Sequence, residues 1–580
     1  MHNCWIIFYR KKRGRKMETL KEMKYERIDF AEAKKKLEEL TNHLKNASDA
    51  EEAFAIHQKY YQLSDHIQTM AALAMFRHSI NTADPYYDQE NAYYDKELPA
   101  FTNADILYQT TLYESAFRKK LEERIGKVAF KNIELQRKSN DPKIVSLQQE
   151  ENTLVTEYEK LLSSAVFDWE GQNISMSEMG KYQTSPDRNV RKKAWDMVGA
   201  FMQEHSEEWD SLYDKLVHNR DRQAKKLGYQ DYRTLGYYRM QRNCYGMEEV
   251  EAFRDQVKKY LVPFVCRLQE KRAKRLFVDT LKIYDNGVYF ANGNPVPQGS
   301  PEEILQAGLS MYRELSEETA DFMEKMMKGD MFDVLGRKNK RQGGYMELLA
   351  EPRMPLIFAN FNGTSGDVDV ITHECGHAFQ FYLAAQDDIR EHWDITMETA
   401  ETHSMSMEFF TNPWMEKFFD ERAQDFRDMQ LEDAICFIPY SCMVDEFQHI
   451  IFENPDMTPK ERHQVWLSLE KQYRPYLCLE DVAFFAKGAW WQKQHHIYSM
   501  PFYYIDYCIA QVCALQYKIW MQKDYKEAWQ SYLKLCKLSA GDFFVAMIRQ
   551  VGLKNPFEDG FMKDLVEKLE KICFNKKEEQ

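Results

Sequence analysis

The sequence predicts a mainly α-helical protein with a small β-rich segment, and three observations carry that expectation. Helix breakers are scarce, 23 Gly and 17 Pro in 580 residues, while Lys, Glu, Leu, Met and Ala are plentiful. Apolar residues recur at helical spacing through most of the chain. Short apolar runs punctuated by Gly and Pro are confined to a few stretches, chiefly 336–370. With 44% hydrophobic residues the chain can bury a large core. A formal charge of −14 argues against a surface that tracks phosphates, so nucleic acid is not an expected partner.

At the N-terminus only Trp5 to Tyr9 form an apolar run, and the basic cluster follows rather than precedes it. That order and length do not fit a secretory signal, and no later segment approaches the ~18 apolar residues of a membrane span. Residues 1–16 are expected to be a disordered extension. Eleven cysteines without a C-x-x-C pair read as reduced thiols, so the expected location is the cytoplasm, with no membrane partner.

From Asp29 to about Asn140 the pattern is a succession of amphipathic helices. Phe30, Ala33, Leu37, Leu40 and Leu44 share one face of the first. Asp84-Pro85 marks a break and cap, and Gly126 a helix end. Between Ser163 and Pro186, alternation around Gly171-Gln172-Asn173 predicts a hairpin. Ser185-Pro186 reads as the N-cap and first residue of the next helix. A boundary near residue 190 would divide an N-terminal helical domain (17–190) from a catalytic domain (191–580). Residues 283–299, with two Asn-Gly pairs, are expected to form a loop or hairpin, and Met354 to Phe361 a strand.

The chemistry is concentrated in three stretches. In "VITHECGHAFQFYLAAQ", a helix places His373 and His377 one turn apart on one face, so both imidazoles reach a single ion. Hydrolysis at zinc needs three protein ligands, an open position for water and a base near that water; Glu374 is placed as the base. Thr364, Ser365, Asp367 and Asp369 offer caps and first-turn acids for that helix. Cys375, between the histidines, turns off their shared face and is expected to be structural. The second stretch, "DITMETAETHSMSMEFFTNP", is a helical pattern with Glu398, Glu401 and Glu408, set among Met405, Met407, Phe409 and Phe410. One of these acids can complete a His2Glu site from a neighbouring helix, and another can orient a histidine N–H. The third, "WWQKQHHIYSMPFYYIDYCIAQ", supplies His495, His496, Tyr498, Tyr503, Tyr504 and Tyr507 as donors for a developing oxyanion. An aromatic cluster standing alone is more often core.

"HECGHAFQ", "ETAETHSMSMEFF" and "HHIYSMPFYYIDYCIAQ", in that order, resemble the oligoendopeptidase F branch of the thimet-oligopeptidase-like zinc metallopeptidases, and the resemblance runs from about Tyr25 to the C-terminal region. It implies a large helical, bowl- or clam-shaped fold with an internal channel and a small sheet beside the zinc helix. Short unstructured peptides would be cut internally and folded proteins excluded. Carried over by position, His373, His377 and Glu401 match the ligands of one Zn2+ per chain, Glu374 the general base and Glu408 a supporting acid. His496, Tyr498, Tyr504 and Tyr507 match the groups that stabilise the transition state, with His495 an alternative in a register ambiguous by one residue. "MPLIFANFNG" matches the strand beside the zinc helix, whose edge would pair with substrate backbone.

The function expected is therefore a zinc-dependent endopeptidase, a monomer or small homo-oligomer. Two other readings stand beside it. A carboxypeptidase on a related scaffold would need a cationic pocket for the terminal carboxylate, and no Arg cluster flanks the motifs; Arg353 stands alone. A helical peptide-binding scaffold with a vestigial site would have lost a ligand or the base, and all are present here.

Overall fold

A computed structural model describes residues 18–574, apart from residues 338 and 342; the extension expected over 1–16 lies outside the described residues. The fold is mainly helical, with two small sheets. Among the described residues no helix is long and apolar enough to cross a membrane.

The N-terminal helices Phe30–Lys45, Ala50–Ile80 and Pro85–Tyr113 form as the periodicity predicts. Asp84 caps the third, accepting from the Tyr86 and Tyr87 amides, and Gly126 ends the helix Arg118–Ile125 at φ 111°. Part of this region has its own core, in which Leu37, Leu44, Phe54, Tyr108, Leu121 and Phe130 are buried together. A much larger core runs from Leu20 to Leu569.

Two local expectations are corrected. The hairpin pairs β1 (Val166–Trp169) with β2 (Gln172–Ser175), but its turn is Glu170-Gly171, both at positive φ; Gln172 and Asn173 belong to the strand. The next helix is Arg188–Glu204, capped by Asp187 onto the Asn189 amide. A carboxylate nearer the helix outcompetes the Ser185 hydroxyl, which instead accepts from the Asp187 amide. Residues 283–299 form a loop opened by a short 3-10 turn at Ile283–Asp285.

The second sheet holds β3 (Phe332–Leu335), β4 (Tyr345–Leu349) and β5 (Met354–Phe361) in the order β3-β5-β4. Central β5 pairs parallel to β3 and antiparallel to β4, with Tyr345 opposite Phe358 and Leu349 opposite Met354. Both edges of β5 are therefore taken, against the expectation that its edge would pair with substrate backbone; among the described residues β3 and β4 are the edge strands of this sheet. β5 is buried along nearly its whole length, which explains its continuous apolar run.

β5 leads directly into the motif helix, Gly366–Ala384. Asp367 fixes the turn between them, its carboxylate accepting from the Asn362 and Gly363 amides at 2.8 Å each. The chain then returns through the helix Met397–Phe410. The link between the two helices is tied to the helix Ala50–Ile80, where Arg390 pairs with Asp65 at 3.0 Å and buried His57 meets Glu391. The helices Ala423–Glu453 and Tyr504–Met521 complete the surroundings of the site.

Candidate metal centre

Two helices can bring their side chains onto one ion only if their backbones approach closely. Gly376, between the motif histidines, permits this. A Cβ there would lie 2.7 Å from the Ser404 Cα and 3.1 Å from the His403 carbonyl oxygen, so any side chain would push the return helix away. With glycine in place, His373, His377 and Glu401 each offer a ligand atom, all within 4.8 Å of one another. Glu401 Oε2 stands 3.4 Å from His373 Nε2 and 3.5 Å from His377 Nε2.

Hydrogen bonds around the cluster orient these atoms. His373 Nδ1 meets Glu408 Oε1 at 2.7 Å. A carboxylate only accepts, so a proton on Nδ1 points to Glu408, which leaves Nε2, the atom that faces Glu401, as the one that would give up its proton to a metal. The Tyr503 hydroxyl donates to Glu401 Oε1 at 2.7 Å, and Ser404 Oγ donates to Oε2 at 3.1 Å. Burial pushes the Glu401 carboxyl up, but His377 and His373 outweigh it and hold the group well below the usual range. Two imidazoles and one carboxylate are a donor set suited to Zn2+. Glu374, next to His373, extends from the same helix.

Glu398 lies elsewhere. Its carboxyl accepts from Thr396 Oγ1 at 2.6 Å, and burial together with Asp506 raises its pKa. Asp506 in turn pairs with fully buried Arg242 at 3.0 Å. Asp369, expected as a first-turn acid, is half-buried; desolvation, then Glu408 and Asp433, push it up to about 8. Cys375 is buried, and burial pushes its thiol up.

The histidine–tyrosine stretch divides into two groups. The His496 ring lies 5.7 Å from Tyr503, 5.0 Å from Tyr504 and 6.0 Å from Tyr507, between centroids. Its Nδ1 accepts from Gln494 Nε2 at 2.8 Å, and the Gln494 carbonyl accepts from the Tyr440 hydroxyl at 2.9 Å. The ring proton therefore sits on Nε2, free to donate. Burial, helped by His495, lowers the His496 pKa to about 3, so the imidazole is neutral. His495 is exposed, its ring tilted at 38° against that of His496 with centroids 3.8 Å apart.

Tyr498 is not brought to this cluster. It is fully buried, stacked 3.9 Å from Tyr158, and its hydroxyl donates to the Trp209 carbonyl at 3.3 Å. Its place in a short helix, His495–Ser499, turns it from the face that His496 presents. Tyr503, by contrast, touches both Glu401 and Tyr507. The sequence signal for it was only its membership of the aromatic run.

A cavity of about 480 Å³ opens on His377, lined by Gln380 and Ala400, by Met346 and Leu348 of edge strand β4, and by Gln109 and Gln136 from the N-terminal helices. The cluster is thus reachable from a space large enough for part of a peptide.

Residues 181–567 match the family model described as peptidase family M3, and residues 20–140 match that of the peptidase M3 N-terminal domain. Among solved structures, one described as an oligoendopeptidase F is 40% identical, with 96% of this chain and 98% of that chain covered and a TM-score of 0.92. PZ peptidase A, solved with an inhibitor, is also 40% identical, with 96% and 99% covered and a TM-score of 0.92. A structure from Bacillus anthracis described as an oligoendopeptidase F is 36% identical, with 96% and 98% covered and a TM-score of 0.87. No curated protein matches the chain.

Proposed function

The chain belongs to peptidase family M3 and is a metallopeptidase, and from that premise we propose that it is a zinc-dependent endopeptidase cutting internal bonds of short, unstructured peptides. The observation that carries this proposal is the convergence of His373, His377 and Glu401 within 4.8 Å, with Glu374 on the motif helix and neutral His496 among the tyrosine rings nearby.

His373, His377 and Glu401 would hold one Zn2+. When bound, zinc supplies Lewis acidity that makes a water more acidic and polarises the scissile carbonyl. Glu374 accepts the proton from the attacking water and passes it to the leaving amine. His496 Nε2–H and the hydroxyls of Tyr504 and Tyr507 donate to the oxygen that gains charge. Tyr503 holds Glu401 and stands beside Tyr507. Tyr498, with its hydroxyl spent on a backbone carbonyl, is left out of this set. The free edge of β4 would pair with substrate backbone, which reads main chain rather than side chains. We keep the division near residue 190, with the N-terminal helices walling the channel, and place the enzyme in the cytoplasm.

The test uses an internally quenched peptide blocked at both ends. Cleavage within it, abolished by a chelator and restored by zinc, is expected. An intact blocked peptide, alongside trimming of one with a free C-terminus, would favour a carboxypeptidase instead. Arg353, the one arginine that the sequence singles out near the motifs, is engaged by Asp388 and the Ala385 carbonyl.

A further inference from the structure

A second cavity, of about 300 Å³, lies behind the tyrosine cluster. Its wall includes Phe437 and Tyr440, whose rings are 5.6 Å and 5.8 Å from Tyr504. It also includes Gln494, the residue that orients His496. Three cations line the cavity: Arg272, Arg474 and Lys493.

Two of the three have anions of their own. Arg474 is held by Glu470, with Nε to Oε2 at 2.9 Å, and lies over the Trp490 and Tyr440 rings. Arg272 faces Glu432 at 3.6 Å, a carboxylate shared with Arg275. The one acid on the wall, Asp433, accepts the Tyr289 hydroxyl.

Lys493 differs. Its amine sits 5.1 Å from the Trp195 ring centroid, and no described carboxylate pulls its pKa back up. Burial alone pushes its ammonium down to about 8. Half-buried, with the Trp195 ring but no described carboxylate beside it, this ammonium is less well solvated than a surface lysine and gains from an anionic partner. A ligand carboxylate would supply that partner, and the chain's charge of −14 makes a local cation necessary for holding an acidic group near the site.

We propose that Lys493, supported by Arg474 and Arg272, is a specificity determinant that binds a carboxylate of the peptide substrate in the cavity beside Tyr504. The carboxylate can come from the peptide's C-terminus or from an Asp or Glu side chain. The proposal rests on the peptidase function above.

The experiment compares zinc-loaded full-length protein on quenched peptides of one length, in two matched pairs. One pair has a C-terminal amide or a free carboxylate; the other has an internal Gln or Glu. The wild type is expected to prefer the carboxylate member of at least one pair by roughly 10-fold in kcat/KM, the worth of a hydrogen bond to a charged group. The pair showing the preference identifies the source. In Lys493→Met and Lys493→Gln that ratio falls to about one, chiefly through KM, and Lys493→Arg restores most of it. Equal cleavage of both pairs by the wild type would overturn the proposal and leave the endopeptidase standing, as would a ratio unchanged in the Met and Gln variants. Cleavage of none of the peptides would remove the endopeptidase reading, and the subsite with it.

Discussion

The cavity that opens on His377 and the one behind Tyr504 are lined by different chemistry. The one that opens on His377 presents neutral amides, Gln109, Asn132, Gln136, Gln241 and Gln380, with Met346 and Leu348 of the edge strand, and its two carboxylates, Glu391 and Asp394, are engaged by His57 and Arg390. The one behind Tyr504 presents Arg272, Arg474 and Lys493. Amides both donate and accept, so they suit peptide backbone of any sequence. An unpaired ammonium suits one charge. The difference teaches that a single enzyme can be indifferent to sequence on one side of its chemistry and selective on the other.

The largest expected effect erases the contrast by removing the chemistry common to both sides. Glu374→Gln should lower kcat by about 10²–10⁴-fold, the range for a general base, while bound zinc stays near one per chain; substantial turnover would remove Glu374 from that role. Next, Tyr507→Phe and Tyr504→Phe should each lower kcat by up to roughly 10²-fold, on the scale of a lost oxyanion donor, with KM little changed. A loss confined to KM would make these tyrosines part of the substrate wall. Glu408→Gln is expected to weaken zinc binding by about 10-fold, as loss of the group that orients a ligand histidine does, and unchanged affinity in a chelator titration would show that His373 needs no such partner. The smallest effect sharpens the contrast: Gln136→Ala should raise KM by on the order of 2–10-fold, one neutral hydrogen bond, equally for acidic and neutral peptides. A change that depended on peptide charge would break the distinction between the two cavities.

The motif helix was readable because its information is local: H-E-x-x-H fixes a face by spacing alone. From residue type and spacing alone the third ligand was a choice among Glu398, Glu401 and Glu408, and only the family resemblance picked out Glu401. The structure separates them by partner, with Glu398 toward Asp506, Glu408 on His373 and Glu401 facing both imidazoles. Tyr498 and Tyr503 look alike in sequence, but a break in helix direction after Ser499 sends one into the core and the other to Glu401. The cationic cavity was not legible at all. Arg272, Arg474 and Lys493 are scattered over more than two hundred positions, and only long-range packing assembles them. Gly376 was visible as a motif letter, yet its use, a helix approach that no Cβ would tolerate, belongs to tertiary structure.

The central claim is that His373, His377 and Glu401 hold the metal. It is tested most directly by measuring zinc per chain in folded wild type, Glu401→Ala and Glu398→Ala. About one zinc in the wild type, little in Glu401→Ala and near wild-type content in Glu398→Ala is the predicted result. Zinc retained by Glu401→Ala and lost from Glu398→Ala would contradict it and move the ligand one helical turn.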